Sequence, residues 1–253
     1  MANGIEIGVQ LYTLRKLCKT PEGVAEVMRR VASLGAKNVQ LSSICEMPAE
    51  QLRKIADENS LTICGTHSPF DRFVNDIDRL AEEHNIMGAT VAGLGMMPQR
   101  FTKNEDSLKE FIELANGFCE KLKPYGVRFG YHNHFMEFKK INGKTKLDIM
   151  IEQCPDMQFI LDTYWVKFSG FEPLDYINKL SGRLDLLHLK DYKKSLFVKK
   201  ICDVGSGTLD FASILSAADN AGTKWAVIEH DFTSEPYRTV ENGIKHFNSV
   251  YRG

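Results

Sequence analysis

Short apolar runs alternate with longer amphipathic stretches along the whole chain. Residues 5–11 (IEIGVQL) alternate at period two, as a strand does. Thr20 followed by Pro21 reads as an N-cap and a proline at the first helical position, opening a helix that ends near Leu34 and Gly35. The same rhythm then predicts strands over 37–41, 61–66 and 90–94 and helices over 48–59 and 71–85. Ser107 opens a long helix that stops before Pro124, Tyr125 and Gly126. The second half repeats the pattern, with strands over 127–134, 158–162, 184–190 and 225–229. Its helices span 147–153, 173–180, 211–221 and 234–251. Strands separated by helices imply right-handed βαβ units and a parallel sheet. Eight such units predict closure into a (β/α)8 TIM barrel, one domain over 1–253. The competing fold, an open doubly wound sheet, wants a glycine-rich phosphate turn after its first strand. Gln10, Leu11, Tyr12 and Thr13 are nothing like one.

Length agrees, since 253 residues match the roughly 250 of a barrel domain. Hydrophobic residues at 43% and charged residues at 26% are ordinary soluble usage. A formal charge of -1 argues against a nucleic-acid partner. The basic cluster Lys193, Lys194, Lys199 and Lys200 reads as a solvated loop rather than a phosphate patch. No apolar run approaches the roughly 20 residues that span a bilayer, so no membrane partner is expected. Met1 to Gly4 carry no signal peptide, although an exported precursor stays open. The cysteines, 18, 45, 64, 119, 154 and 202, are scattered without a CxxC pair and read as reduced, packed thiols. A cytoplasmic location is the expectation; the oligomeric state, a homo-oligomer included, stays open.

In a barrel, the C-terminal ends of the strands build the active site. That rule picks out Gln10, His67, His132, His134, Glu137, Asp162, His188, Lys190, Glu229 and His230, while the N-terminal parts of the same strands are mostly apolar. Residues two apart share a face, so His188 and Lys190 point into the mouth and Leu187 and Leu189 outward. Asp162 ends the apolar run 159–161, and Glu229 ends the run 227–228. Burying such acids unpaired costs several kcal/mol, and a cation relieves that cost. Carboxylates with one imidazole suit one divalent ion, Mn²⁺, Co²⁺, Mg²⁺ or Zn²⁺. His132 and His134 share a face, and either can be a ligand, a substrate contact or a supporting donor. His84 and His246 lie on helices and read as surface residues. Residues 203–207 (DVGSG) form a turn that either approaches a substrate phosphate through backbone N–H groups or is a plain loop, the latter favoured.

At these positions the chain resembles the sugar phosphate isomerase/epimerase family, the xylose isomerase-like TIM barrels. The resemblance rests on GVQLYTLR (8–15), GYHNHFMEF (130–138), LDTYWV (161–166), HLKD (188–191) and IE (228–229). It covers nearly the whole chain and specifies the superfamily, not a substrate. It implies four metal ligands, Glu137, Asp162, His188 and Glu229. Two positions depart from it. Relatives closer to the ketose 3-epimerases carry a histidine near Trp165, and Gly205, Ser206 and Gly207 replace a Gly-Glu-Gly turn.

The chemistry this implies is proton transfer next to the carbonyl of a sugar, sugar phosphate or keto-sugar, through a metal-chelated enediolate. Glu137 and Glu229 would flank the chelated carbons as base and acid, and Lys190 and His67 would contact hydroxyls or assist. Gln10, His132, His134 and Trp165 complete the expected substrate site. The alternatives are a lyase or dehydratase acting through the same enediolate on a keto-sugar or keto-inositol, and a barrel that only binds sugar. An endonuclease-IV-like DNA-repair barrel is disfavoured by the charge.

Overall fold

Eight short parallel strands close on themselves in sequence order in the computed structural model, which describes residues 4–195 and 198–251. They are β1 (Glu6–Gln10), β2 (Asn38–Leu41), β3 (Thr62–His67) and β4 (Val91–Leu94), followed by β5 (Arg128–His132), β6 (Gln158–Asp162), β7 (Leu186–Leu189) and β8 (Trp225–Ile228). Each pairs with its sequence neighbours, and β8 returns to β1 with Val9 opposite Ile228. This is a (β/α)8 TIM barrel, as the alternation predicts. Residues 1–3, on which the signal-peptide expectation rests in part, lie outside the described residues. Among the described residues, no helix is long and apolar enough to cross a membrane.

Period two divides each strand into two faces. Inward residues form a small axial cluster of Cys64, Val91, Ile160, Leu186 and Val227. Gly93 and Gly130 make room for it: a Cβ on Gly130 would stand 2.7 Å from Val91 Cγ1, and one on Gly93 2.7 Å from Ile160 Cδ1. One step further along the same inward faces come the polar residues Gln10, Gln40, His132, Asp162 and His188, all buried. Outward residues such as Leu187 and Leu189 join the larger core under the helices. The apolar plug at the barrel's waist is the floor on which the polar layer stands.

The helices form where their signals stand. Pro21–Ser33 begins with Thr20 Oγ1 accepting the Gly23 N–H at 3.1 Å. Glu105–Leu122 starts two residues earlier than expected, because Ser107 is not its cap. Ser107 is the third residue of a capping box closed by Asn104. The helix expected over 71–85 is two, Phe70–Asn75 and Ile77–Met87, broken at Asp76, whose φ of -149 and ψ of 36 leave the helical region. A short helix, Thr163–Phe168, follows β6 directly, with Asp162 accepting from Trp165 N as its N-cap. The basic segment is not a plain loop: Asp191–Ser195 and Val198–Cys202 pair as an antiparallel hairpin, Lys193 opposite Lys200 and Lys194 opposite Lys199. Period-two patterning is weak there, so only the tertiary pairing reveals it. His84 is not a surface residue either. Its ring is fully buried, with Nε2 3.0 Å from Thr66 Oγ1 and Nδ1 2.7 Å from Leu80 O. His246, half-buried, meets the Phe211 ring edge-on.

Candidate active site

Parallel register brings the polar strand ends into one layer. Asp162 and His188 are direct partners across β6 and β7, and His188 sits opposite Val227, two residues before Glu229. As a result His132, Asp162, His188 and Glu229 each offer a ligand atom, all lying within 4.8 Å of one another, and all four are buried. His67, His132 and His188 form a second, overlapping group. Glu137, the other expected ligand and base, is not part of either. The 3-10 turn Phe135–Phe138 folds its carboxylate back under the strand end. There Oε1 accepts the Tyr131 O–H at 2.8 Å and Oε2 the His134 N–H at 2.7 Å. The fifth-strand corner is occupied by His132.

Supporting groups set the orientation of both imidazoles. His132 Nδ1 lies 3.3 Å from Ile160 O, which leaves Nε2 free. His188 Nε2 lies 2.6 Å from Gln40 Oε1, and Nδ1 faces Glu229 Oε2 at 2.8 Å. A histidine that holds one N–H on a carbonyl presents the other nitrogen as a fixed donor atom. Gln10 serves the same end, since its Nε2 donates to Gln40 Oε1 at 2.8 Å and it lies behind the histidines, not in the groove. Gln40 was not among the sequence candidates, although the strand-end rule applied to β2 would have found it.

Lys190 is the cation now among these acids. Its Nζ is 3.0 Å from Asp162 Oδ2, 3.0 Å from Glu229 Oε2 and 3.2 Å from Asp231 Oδ1. Asp231 is a second residue the sequence reading passed over. Burial by itself would lower the lysine's pKa, but the three carboxylates outweigh it and hold the ammonium above the ordinary lysine range. Burial pushes Asp162 up, to about 6, against the pull of Lys190. Burial would raise Glu229 too, but Lys190 and His188 hold it well below the usual carboxylate range. Burial lowers His67 to about 3 and His134 to about 4, and His132 well below its ordinary value, so all three rings are neutral at neutral pH.

The donor set fits a divalent ion. Asp162 and Glu229 are two buried carboxylates beside one ammonium, His132 keeps Nε2 free, and His188 turns Nδ1 towards Glu229. Around this group several buried polar atoms have no protein partner: His67 Nε2, His134 Nδ1, Asn133 Nδ2 and Trp165 Nε1. The rings form a chain, with centroids 5.1 Å apart for His67–His132, 4.7 Å for His132–His134 and 5.5 Å for His134–Trp165. A groove of about 1430 Å³ opens over them and is lined by His67, His132, His134, Lys190, Glu229 and Asp231 at its deep end. His230 is held elsewhere, its Nδ1 accepting from Phe232 N at 3.1 Å and its own N–H donating to Thr13 Oγ1.

Comparison with known proteins agrees with this architecture. No curated protein matches the sequence. Two sugar phosphate isomerase/epimerase structures from Parabacteroides distasonis superpose with TM-scores of 0.80 and 0.79 at 20% and 22% identity. They are covered over 96% and 100% of their length by 98% of this chain. A D-allulose 3-epimerase from Methylomonas sp. superposes at 0.72 with 14% identity, over 99% of this chain and 100% of its own. At these identities the likeness is one of fold. The model of the family described as xylose isomerase-like TIM barrel matches residues 26–250. With most of the chain covered, the protein belongs to the xylose isomerase-like TIM barrel family.

Proposed function

We propose that this protein, taken as one catalytic domain, is a divalent-metal-dependent sugar isomerase or epimerase that moves a proton at the carbon next to a carbonyl. The observation that carries the reading is the buried group His132, Asp162, His188 and Glu229, gathered from four strand ends beneath an open groove. These four residues would hold the ion, in place of the set with Glu137. When bound, the ion supplies Lewis-acid polarisation of the substrate carbonyl. The names of the superposed structures, isomerases and epimerases of sugars, support the same class of chemistry.

The chain's own residues do the rest. Glu229 lines the groove and is held ionised, so it takes the α-proton and returns it. Lys190, 3.0 Å from Glu229, keeps that carboxylate charged and offers N–H to the oxygen on which charge builds. Neutral His67 and His134, with unpartnered ring nitrogens, hydrogen-bond substrate hydroxyls together with the Trp165 indole N–H. Return of the proton by Glu229 to the neighbouring carbon gives an aldose–ketose isomer, whereas an epimer needs a second donor, such as a water in the groove, on the opposite face of the substrate. Glu137, enclosed by Tyr131 and His134, shapes the turn that carries His134.

The test is a panel of aldoses, ketoses and keto-sugars incubated with protein and Mn²⁺ or Co²⁺ in D₂O, read by NMR. Deuterium should enter the position next to the carbonyl in product of unchanged carbon skeleton. Substrate turnover with loss of water would replace this reading with the lyase. Sugar binding without exchange in any substrate would reduce the protein to a binder.

A further inference from the structure

Two cysteines from neighbouring loops are held together by a backbone bond. Cys18 follows the turn after β1, and Cys45 lies in the loop after β2. The Cys45 N–H donates to the Cys18 carbonyl at 2.8 Å. With that bond and ordinary covalent dimensions, the two α-carbons stand no more than about 6.7 Å apart. A disulfide usually joins α-carbons about 4.4–6.8 Å apart. Both side chains also reach the same apolar body: Cys18 is part of the large core, and Cys45 packs against it. Both are free thiols.

Their surroundings differ in the way a stepwise reaction needs. Cys45 is half-buried and lines the groove, so a solute can reach it, whereas Cys18 is fully buried. Burial pushes the Cys18 thiol up to about 12, the neighbouring Cys45 adds to this, and Lys19 eases it. Cys18 is therefore shielded from solutes but adjacent to any sulfur adduct that Cys45 acquires. The other four cysteines lack this combination of access and neighbour. Cys64, Cys119 and Cys154 are buried, and Cys202 does not line the groove. The position of Cys45 also matters for the groove itself. Ile44, Glu46, Met47 and Pro48 of its loop form one wall, and Tyr12 of the turn before Cys18 lines the same space. A bond between the two sulfurs would pin that wall to the turn after β1.

We propose that Cys45 and Cys18 form a reversible thiol–disulfide site that reacts with small disulfides of the glutathione class. The Cys45 thiolate attacks one sulfur of glutathione disulfide, forming a mixed disulfide and releasing one glutathione thiolate. The Cys18 thiolate then attacks the Cys45 sulfur, closing the Cys18–Cys45 bond and releasing the second. The two departing thiolates take up the two protons that the cysteines lose. Two cysteine thiols are oxidised, and one small disulfide is reduced to two thiols. The site stands whatever reaction the barrel catalyses, so its test needs no turnover. The reduced full chain, freed of reductant, is incubated with glutathione disulfide at mildly alkaline pH. It is then denatured in N-ethylmaleimide, digested and mapped by mass spectrometry. The wild type should give an intramolecular link between the peptides carrying Cys18 and Cys45, with the remaining cysteines alkylated. Cys18→Ala should stop at the mixed disulfide on Cys45. In Cys45→Ser, Cys18 should react at least about tenfold more slowly than Cys45 does in the wild type, because it is shielded and mostly protonated. The link should raise Tm by about 5–10 °C, reversibly with dithiothreitol, since it closes a loop whose ends already meet. A lasting glutathione adduct on wild-type Cys45 with Cys18 free overturns the proposal. So does a link from Cys45 to any other cysteine, or no reaction at Cys45. A link that leaves Tm unchanged or lowered also overturns it, because the native loops would then have to part to form the bond. Should Cys18→Ala not fold, the wild-type peptide map decides alone.

Discussion

His132 and Glu137 leave the same strand end five residues apart and reach opposite environments. His132 continues the inward face of β5 and joins Asp162, His188 and Glu229. Glu137 is carried away by one 3-10 turn and closed in by the Tyr131 O–H and the His134 N–H. Burial raises its pKa while those two donors lower it. Calorimetric titration with Mn²⁺ or Zn²⁺ should separate the two residues. His132→Gln should lose more affinity than the roughly 10–100-fold typical of a supporting residue. Glu137→Gln should leave metal affinity within about tenfold while costing about 1–3 kcal/mol of stability, because an amide N–H₂ replaces an acceptor facing a buried donor. Abolished binding in Glu137→Gln with retained binding in His132→Gln would return Glu137 to the ligand set.

At the level of elements, the barrel's helices are fastened to its strands by a few buried polar contacts, and His84 is the plainest of them. It ties the helix Ile77–Met87 to β3 through Thr66. Burial is the largest influence on its ring and lowers its pKa from 6.5 to about 4. The sign follows from linkage. Between pH 6.5 and about 4 the unfolded chain binds a proton on this residue and the folded chain does not. Its contribution is therefore fully present above pH 6.5 and is lost as pH falls to about 4. At about 1.4 kcal/mol per pH unit the loss is roughly 3 kcal/mol. Denaturant titrations at a series of pH values should show His84→Gln less stable at pH 8 but with a shallower decline over this window. Parallel pH profiles for the two proteins would remove His84 as a source of acid sensitivity.

For the molecule as a whole, the polar layer at the barrel's mouth is where ligand binding and stability meet. Three carboxylates around one buried lysine leave the layer short of positive charge. A cation that binds the folded state alone raises stability by RT ln(1 + [M]/Kd), about 2.7 kcal/mol at a hundred times Kd. EDTA should lower Tm, and Mn²⁺ or Zn²⁺ should restore it in proportion to the logarithm of concentration. His188→Ala should abolish that dependence. A Tm indifferent to every divalent ion would remove the metal from the reading of this site.

The order of elements was legible in the sequence because periods of 2 and 3.6 are local properties of a chain. That pattern already carries the barrel, and the rule of strand ends already carries Asp162, His188, Lys190 and Glu229 to its mouth. The strand-end polar set was readable for the same reason: an acid closing an apolar run such as 159–161 is conspicuous without coordinates. What the pattern does not contain is where a side chain goes once its strand has ended. The turn after β5 withdraws Glu137, the segment 205–209 beyond the hairpin closes Asp191 in with four backbone N–H groups beside that of Tyr192, Asp231 meets Lys190 from the neighbouring strand end, and Gln40 meets His188 across the barrel. These outcomes depend on backbone direction and on residues distant in sequence. Asp231 is 41 positions from Lys190, and Gln40 is 148 from His188. Closing the barrel decides which of the available acids share a site.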